Sequence, residues 1–343
     1  MVGAGMSPVF QEGRKAVAPE SSMSEEGPEP RREVGAVHRP VLLDEVIEWL
    51  APREGSILVD GTAGAGGHAA ALARLVGSSG RVIGLDRDPN MLELARRATA
   101  GLPVTLVHAP YSDLRRVLED LEIPFDQVRG VLLDLGLSSD QLAWWHRGFS
   151  FAADGPLDMR FNPESRGPTA AELLHDLSAE ELAQAFFEFG EERFSRRIAR
   201  RIVETRDAEP LRTTGQLAEL VRRCIPGRLR HGPIDPATRV FQALRILVND
   251  ELKHLDAVLK ELPDILPPGG RAAIISFHSL EDRRVKWAFR NEPRWSILTK
   301  KPVTATAREV AVNPRARSAK LRVAERWSNQ DTTQTSNPKN PGS

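Results

Sequence analysis

The chain has 343 residues, of which 41% are hydrophobic and 27% are charged, and its 47 basic residues balance its 47 acidic residues. This composition is typical of a soluble globular protein, and it excludes a collagen-like, mainly disordered or membrane-spanning chain. Because the single cysteine, Cys224, cannot form an intramolecular disulfide and no apolar run reaches the ~18 residues of a transmembrane helix, we expect a cytoplasmic protein with no membrane association.

The two ends of the chain lack any apolar periodicity. Residues 1–36 are rich in Gly, Pro, Ser and Glu, and residues 328–343 are rich in Pro, Asn and Thr. Segments of this composition cannot bury enough apolar surface to fold. We therefore predict a disordered amino-terminal extension over 1–36, a disordered tail over 328–343 and a folded part between them.

The first half of the folded part alternates short apolar runs with helical patterns. The predicted strands are residues 57–59, 81–85, 104–107 and 128–133. The predicted helices are residues 68–76, 89–99 and 112–121. Asp88 and Pro89 have the residue types preferred at the N-cap and the first position of the second helix. This repetition of strand and helix predicts the α/β class, with a parallel sheet flanked by helices.

The repetition stops after Asp134 and resumes about a hundred residues later. Residues 148–168 have the composition of a loop, and helical patterns without an intervening strand follow them. A long amphipathic helix over 238–262 and a fifth strand over 271–277 then restore the pattern. We therefore predict a helical insertion over 141–237 that interrupts one α/β domain formed by residues 37–140 and 238–327.

A glycine-rich segment joins the first strand to the first helix. It begins at Asp60, contains Gly66 and Gly67 and ends at His68, and the second strand ends at Asp86, twenty residues beyond Gly66. Glycines allow the backbone to approach a ligand closely, and the helix amino terminus offers unpaired N–H donors. An acid at the end of the second strand can accept hydrogen bonds from a ribose diol. A tight turn with Asp86 as a helix cap is the alternative, but the spacing favours a cofactor site.

The acid at position 60 indicates which of two classes of cofactor the loop binds. Dinucleotide sites usually have a glycine directly after the strand, whereas Asp-x-x-x-Gly-x-Gly is typical of S-adenosylmethionine sites. A carboxylate attracts the ammonium group of the methyl donor and repels a diphosphate. The sequence therefore favours a Rossmann-like, S-adenosylmethionine-dependent methyltransferase over a nicotinamide-dependent dehydrogenase, for which we recognise no hydride-transfer site.

Ten motifs follow one another along residues 37–327. They are HRPVLLDE (38–45), DGTAGAGGH (60–68), LDRDP (85–89), LLDLGLSS (132–139), RGFSF (147–151), GPLDMR (155–160), GEER (190–193), DPATRVFQALRI (235–246), ISFHSLED (275–282) and NPRARS (313–318). Together they resemble the bacterial RsmH/MraW family. The resemblance implies methylation of the exocyclic N4 of a decoding-centre cytidine in small-subunit (16S) ribosomal RNA, with S-adenosylmethionine as donor. It also implies a Rossmann-like domain interrupted by a helical domain that helps to recognise RNA.

The resemblance also implies which residues contact the cofactor. These are Gly66, Gly67, His68, Asp86, Tyr111, Asp134 and Gln141. It implies 16S ribosomal RNA within the small ribosomal subunit as the partner. Whether the substrate is naked RNA or the assembled subunit stays open, and so does a homodimer. We expect no metal ion, because methyl transfer from a sulfonium to an amine needs none.

The catalytic acceptor is less clearly marked in the sequence. The lone pair of cytosine N4 is delocalised into the ring, so an enzyme must orient this amine and accept its hydrogens with oxygen atoms. Many amino-methyltransferases supply these acceptors from an Asp/Asn-Pro-Pro-aromatic motif, but this chain has Asp-Leu-Gly-Leu-Ser-Ser instead. Asp134 is the first candidate, with Ser138 and His278 as alternatives; His278 could equally be a structural histidine.

Two basic segments are hidden by the neutral total charge. Residues 193–230 contain eleven arginines against four acidic residues, and residues 271–327 contain fourteen basic residues against five acidic ones. We predict RNA contact at the first segment, by Arg196, Arg197, Arg200 and Arg201, and base stacking at the second, by Trp287, Phe289 and Trp295. A solvated helix face is the alternative for this charge. A methyltransferase that acts on a protein or a small molecule also stays open.

Overall fold

The computed structural model describes residues 40–230, 232 and 234–327. The predicted disordered extension and tail lie outside these residues. Within the described ranges, none of the helices has both the length and the apolar composition needed to cross a membrane.

Seven strands form the sheet at the centre of the molecule. They are β1 (Ile57–Asp60), β2 (Arg81–Asp86), β3 (Val104–His108), β4 (Val128–Asp134), β5 (Arg271–Ser276), β6 (Trp295–Ile297) and β7 (Lys320–Arg326). Their order across the sheet is β3-β2-β1-β4-β5-β7-β6. The five predicted strands and the α/β class are confirmed, whereas β6 and β7 were not predicted.

The first five strands are parallel, and β7 is antiparallel to both β5 and β6. The strand order reverses at β1, which pairs with β2 on one side and β4 on the other. In open α/β sheets, ligands bind at such a reversal, in the crevice beyond the carboxyl ends of the strands. We therefore expect the ligand site at the carboxyl ends of β1, β2 and β4.

Helices precede, separate and follow these strands. They are α1 (Leu43–Leu50), α2 (Gly67–Val76), α3 (Pro89–Ala98), α4 (Leu114–Asp120), α5 (Ser139–Ala143), α6 (Ala170–Asp176), α7 (Ala179–Gly190), α8 (Ser195–Arg206), α9 (Thr214–Cys224), α10 (Ala237–Asn249), α11 (Glu251–Ile265), α12 (Ser279–Asn291) and α13 (Ala307–Val312). The predicted cap of α3 is confirmed, because the Asp88 side chain accepts a hydrogen bond from the backbone N–H of Asn90 and Pro89 follows it.

Successive strand residues point to opposite faces of the sheet, and each face has its own core. Val59 and Leu133 belong to the cluster that includes α4, α11 and α12, whereas Leu58 and Leu132 belong to the cluster that includes α1 and α2. Burial of both faces explains why these strands read as nearly continuous apolar runs rather than as alternating ones.

A third apolar cluster joins the helices between β4 and β5. It contains buried residues of α6, α7, α8 and α9, and also those of α10, such as Val240 and Leu244. The prediction of one long helix over 238–262 is wrong. Asp250 has a left-handed backbone conformation, with φ of 49°, which ends α10 before α11 begins. The Asn249 side chain fixes this break by accepting from the N–H of Phe161 at 2.8 Å and donating to the carbonyl of Met159 at 2.7 Å.

Candidate active site

The glycine-rich loop between β1 and α2 is shaped by close contact with its neighbours. Gly66 has a φ of 87° and lies at the N-cap of α2. A Cβ atom at this position would lie 2.9 Å from the Cα atom of Ala95 in α3. Both the positive φ and the close backbone approach require glycine here. The loop therefore turns sharply into α2, which begins at the carboxyl end of β1.

Asp86, at the end of β2, holds the loop in place. Its Oδ2 atom accepts a hydrogen bond from the N–H of Gly64 at 2.8 Å, and its Oδ1 atom accepts one from the N–H of Asp88 at 2.8 Å. Burial raises the pKa of Asp86 to about 6. A carboxylate has about four acceptor sites, so both oxygens can still accept from a pair of hydroxyl groups. The geometry suits the predicted contact with a ribose diol.

Asp60 is fully enclosed at the end of β1. Its Oδ1 atom accepts from the N–H of Thr62 at 3.2 Å, while its Oδ2 atom is buried with no hydrogen-bond partner among the described residues. Burial raises the pKa of Asp60 to about 7. Because none of its surface is exposed, Asp60 can act on a bound ammonium group only through space, not by direct contact.

Asp134, at the end of β4, is the accessible carboxylate of the crevice, with 23% of its side chain exposed. Its backbone N–H donates to the hydroxyl of Thr62 at 2.6 Å, which joins the ends of β1 and β4. Its Oδ1 atom is buried without a hydrogen-bond partner in the described chain. Burial raises the pKa of Asp134 to about 7; Arg315 opposes this rise, and Asp60 and Glu281 add to it.

His68 faces Asp134 from the first turn of α2. Its Nε2 atom lies 3.0 Å from the carbonyl oxygen of Val41, and its Nδ1 atom lies 3.6 Å from Oδ2 of Asp134. A carbonyl oxygen can only accept, so the Nε2 atom must carry the hydrogen. Burial lowers the pKa of His68 to about 4, which keeps the ring neutral and leaves the Nδ1 lone pair directed at Asp134.

A buried polar cluster links the crevice to the loop after β4. Gln141 donates from Nε2 to Oδ2 of Asp88 at 2.8 Å, and Arg147 forms an ion pair with the same oxygen at 3.0 Å. Gln141 is a predicted cofactor contact, whereas Asp88 was predicted only as a helix cap and Arg147 was not predicted as a site residue. The motifs containing Asp88 and Arg147 were the available signal.

The remaining predicted residues have well-defined structural contacts. Tyr111 donates from its hydroxyl to the carbonyl oxygen of Glu251 at 3.3 Å, and burial raises the pKa of this hydroxyl far above its ordinary range. Ser138 caps α5, where its hydroxyl accepts from the N–H of Gln141 at 3.0 Å. His278 caps α12 and lies 3.1 Å from Oε1 of Glu281. The roles of Ser138 and His278 in capping explain their presence without catalysis.

The crevice has the chemistry expected for a methyl donor that carries positive charge. Two buried carboxylate oxygens, on Asp60 and Asp134, lack hydrogen-bond partners among the described residues. A buried carboxylate without a partner is costly, and a sulfonium or ammonium group would supply the missing positive charge. The glycine turn at Gly66 would allow a close backbone approach, and the carboxylate of Asp86 could accept hydrogen bonds from a ribose. These residues fit S-adenosylmethionine.

The predicted RNA-binding arginines lie together on one exposed face of α8. Arg196, Arg197, Arg200 and Arg201 are all exposed, whereas Ile198, Ala199 and Ile202 on the other face are buried. Three of the four arginines line a groove of about 560 Å³ between α8 and α9. Of these four arginines, only Arg201 forms an ion pair among the described residues, with Glu204 at 3.6 Å. The helix thus presents a cationic surface.

The prediction of base stacking by three aromatic residues is wrong for two of them. Trp287 on α12 is 68% exposed, but Phe289 and Trp295 are buried. Their rings pack edge to face, with centroids 5.5 Å apart, in the core that covers one face of the sheet. The pattern of aromatic residues among basic ones arises here because α12 is amphipathic.

Comparison with known proteins agrees with the motifs. The family model described as the MraW methylase family matches residues 35–327. The chain is 50% identical over 302 residues to a protein named ribosomal RNA small subunit methyltransferase H from Synechococcus sp. (strain JA-2-3B'a(2-13)), and the match covers 85% of this chain and 92% of the relative. It is 52% identical over 301 residues to a protein of the same name from Sorangium cellulosum (strain So ce56), covering 87% and 94%.

These matches extend over almost the whole described part of the chain, so they include the glycine-rich loop, the acids that end β1, β2 and β4, and the helices between β4 and β5. They confirm the family recognised from the ten motifs and the prediction of a methyltransferase. The chain belongs to the MraW methylase family.

Proposed function

We propose that this protein transfers a methyl group from S-adenosylmethionine to the exocyclic N4 of a decoding-centre cytidine in small-subunit (16S) ribosomal RNA. The observation that carries the proposal is the 50% identity to ribosomal RNA small subunit methyltransferase H along 92% of that relative. Identity at this level, over a match that covers most of both chains, supports the same substrate. No feature of the site favours a protein or a small molecule instead.

The methyl donor is held by residues that end or follow the first four strands. Gly66 and Gly67 allow it to approach the backbone, Asp86 accepts hydrogen bonds from its ribose, and Tyr111 lies beside its adenine. His68, Asp134 and Gln141 complete the site. When bound, S-adenosylmethionine supplies an electrophilic methyl group on a positively charged sulfur.

Asp134 acts as the catalytic acceptor. Its carboxylate accepts a hydrogen bond from N4, which directs the amine's remaining electron density toward the methyl group. As the new N–C bond forms and the methyl–sulfur bond of the donor breaks, the sulfur would keep the electron pair of that bond, and the proton lost from N4 would pass to the Asp134 carboxylate. The Nδ1 lone pair of His68 faces the same carboxylate and stabilises its protonated form. Ser138 and His278 remain alternatives, but their capping contacts leave them less free to move a proton.

The RNA binds across the helical insertion. Arg196, Arg197, Arg200 and Arg201 contact phosphates, because exposed guanidinium groups on one helix face attract the negative charge of a nucleic-acid backbone. We include residues 141–237 in this RNA-recognition domain. The reaction takes place in the cytoplasm on RNA of the small ribosomal subunit, and a homodimer stays a prediction.

A comparison of cells with and without the gene tests the proposal. Mapping of N4-methylcytidine on small-subunit ribosomal RNA should detect one decoding-centre site in the parent that is absent from the deletion strain and returns with a plasmid copy. An unchanged methylation map in the deletion strain would contradict the proposed substrate.

A further inference from the structure

The carboxyl-terminal strand brings a distant arginine to the crevice. Because β7 is antiparallel to β5, its first residue, Lys320, pairs with Ser276 at the carboxyl end of β5. The short 3-10 helix Pro314–Ser318 that precedes β7 therefore lies at the same edge of the sheet as Asp134. Arg315 belongs to this segment.

Arg315 is anchored to the loop that follows β4. Its Nη1 atom donates to the hydroxyl of Ser139 at 3.0 Å, and its guanidinium carbon lies 5.9 Å from the ring centroid of Phe277. The side chain is half-buried. Phe277 packs in turn on the same loop, since a Cβ atom at Gly136 would lie 3.6 Å from its ring. Arg315 is thus held in a defined place beside the crevice.

Arg315 and Asp134 are neighbours, but they do not form an ion pair in the described part of the chain. Arg315 is the strongest charge that acts to lower the pKa of Asp134, and Asp134 is the strongest attractive charge on Arg315. The crevice therefore presents an acceptor and a planar donor group side by side, each available to a third partner.

This pair is complementary to one edge of cytosine. The N4 amine at one end of that edge donates hydrogen bonds, whereas N3 and O2 accept them. To bind opposite ends of this edge, the acceptor Asp134 and the donor Arg315 must be separated rather than form an ion pair with each other. Uracil has an acceptor at position 4 and a donor at N3, so it would meet both side chains with the wrong polarity.

We propose that Arg315 is a specificity-determining residue that donates hydrogen bonds to N3 and O2 of the target cytosine while Asp134 accepts from its N4. The inference rests on the proposed function, and it deepens it by assigning recognition of the base. Enzymes that act on a base taken out of its stack commonly read this edge by hydrogen bonds.

The test combines a protein variant with a change of one atom in the RNA. Small-subunit ribosomal RNA carrying either cytidine or 3-deazacytidine at the target is offered to the full-length enzyme, and kcat/KM is measured for each. In 3-deazacytidine a C–H group replaces N3, while N4 and O2 remain. The ratio of kcat/KM on cytidine RNA to kcat/KM on 3-deazacytidine RNA should be about tenfold higher for the wild-type enzyme than for Arg315→Ala. A bidentate hydrogen-bonded contact to a base discriminates by this order. Arg317→Ala, which changes an exposed arginine of the same segment, should keep the wild-type ratio.

The ratio of kcat/KM on the two RNAs distinguishes a role of Arg315 in base recognition from a structural role. An equal loss of activity on both RNAs in Arg315→Ala, with the wild-type ratio retained, would overturn the proposal. Arg315→Lys keeps the charge but lacks the planar fork, so it should also lose discrimination, and it provides the ratio if the alanine variant does not fold. A wild-type enzyme that methylates neither RNA would overturn the proposed function itself, which is a different result from an unchanged ratio.

Discussion

The Nδ1 atom of His68 lies 3.6 Å from Oδ2 of Asp134, while the Nε2–H of the same ring donates to the carbonyl oxygen of Val41. The carbonyl fixes the tautomer, so a lone pair and a carboxylate oxygen face each other. Two such acceptors repel unless a proton lies between them. The arrangement therefore favours a protonated Asp134 in the free protein and explains how the pair can hold the proton lost from N4.

The first prediction concerns the pH dependence of turnover. The pKa of Asp134 is raised to about 7, mainly by burial, so the carboxylate is protonated below this pH and cannot accept a further proton. At low substrate concentration, kcat/KM, which reports the ionisation of the free enzyme, should rise as pH increases through about 7 and then level off. Asp134→Asn should reduce kcat by about 10²–10⁴-fold, as expected for loss of a general base. A flat profile between pH 5.5 and 8.5 would argue against Asp134 as acceptor.

The second prediction concerns the ribose contact. Asp86→Ala removes two charge-assisted hydrogen bonds that a carboxylate offers to the diol, and it should weaken S-adenosylmethionine binding by ~1.5–3 kcal/mol. Asp120→Ala, at an exposed position of α4, serves as the control and should bind normally. Calorimetry measures both affinities. Unchanged affinity in a folded Asp86→Ala protein would remove Asp86 from the cofactor site.

The third prediction compares two glycines that both have positive φ. Gly66 has a φ of 87° and is packed against Ala95, whereas Gly101 has a φ of 76° and open space at its Cβ position. Gly101→Ala should cost about 1 kcal/mol of stability from backbone strain alone. Gly66→Ala should cost more and also weaken cofactor binding, because the loop must move. Chemical unfolding and calorimetry test this difference, and equal effects of the two changes would contradict it.

The first five strands could be predicted from the sequence, and four of them, β1, β2, β4 and β5, are buried on both faces, whereas β3 is a partly buried edge strand. Their apolar runs are bounded by Gly, Pro and Asp, so the pattern is local. β7 carries four charged residues among its seven, and β6 has only three residues, so neither has this pattern. Both are strands because the fold supplies partners for them.

The break between α10 and α11 could not be predicted either, because it depends on contacts with a distant part of the chain rather than on a local pattern. The amphipathic period continues through Asn249 and Asp250, and only the side-chain contacts of Asn249 with the loop containing Met159 and Phe161 impose the turn. The same limit applies to the site. Gly66 and Asp86 belong to a local motif and could be predicted as site residues, whereas Arg315 lies beside the loop after β4 only because β7 runs antiparallel to β5.

The fourth prediction concerns the buried acid of β1. The pKa of Asp60 is raised from its ordinary value of 3.8 to about 7 by burial, so the fold favours the protonated form. This contribution to stability is fully present below about pH 4 and is lost as pH rises through about 7. Asn cannot titrate, so Asp60→Asn should gain stability relative to the wild type by on the order of 2–4 kcal/mol between pH 4 and 8. Urea unfolding at several pH values measures the difference in free energy of unfolding between Asp60→Asn and the wild type. A difference that does not change with pH would contradict the raised pKa of Asp60.

The fifth prediction concerns the arginines of α8. Replacing Arg196, Arg197, Arg200 and Arg201 with Ala should weaken RNA binding and reduce its salt dependence by on the order of 0.7–0.9 in slope for each lost phosphate contact. S-adenosylmethionine binding should persist. Arg96 and Arg97, exposed on α3 and paired with Glu93, provide a matched control. Filter binding at several salt concentrations distinguishes the outcomes: an unchanged slope would identify this surface as a solvated helix face.

The most direct test of the account is methyl transfer by the purified full-length protein. S-adenosylmethionine with a labelled methyl group is supplied together with small ribosomal subunits, or their naked RNA, from cells that lack the gene, and the labelled nucleotide is identified by nuclease mapping and mass spectrometry. The account predicts one labelled N4-methylcytidine in the decoding centre. Label at another atom or nucleotide, or in protein while the RNA stays unlabelled, would contradict it.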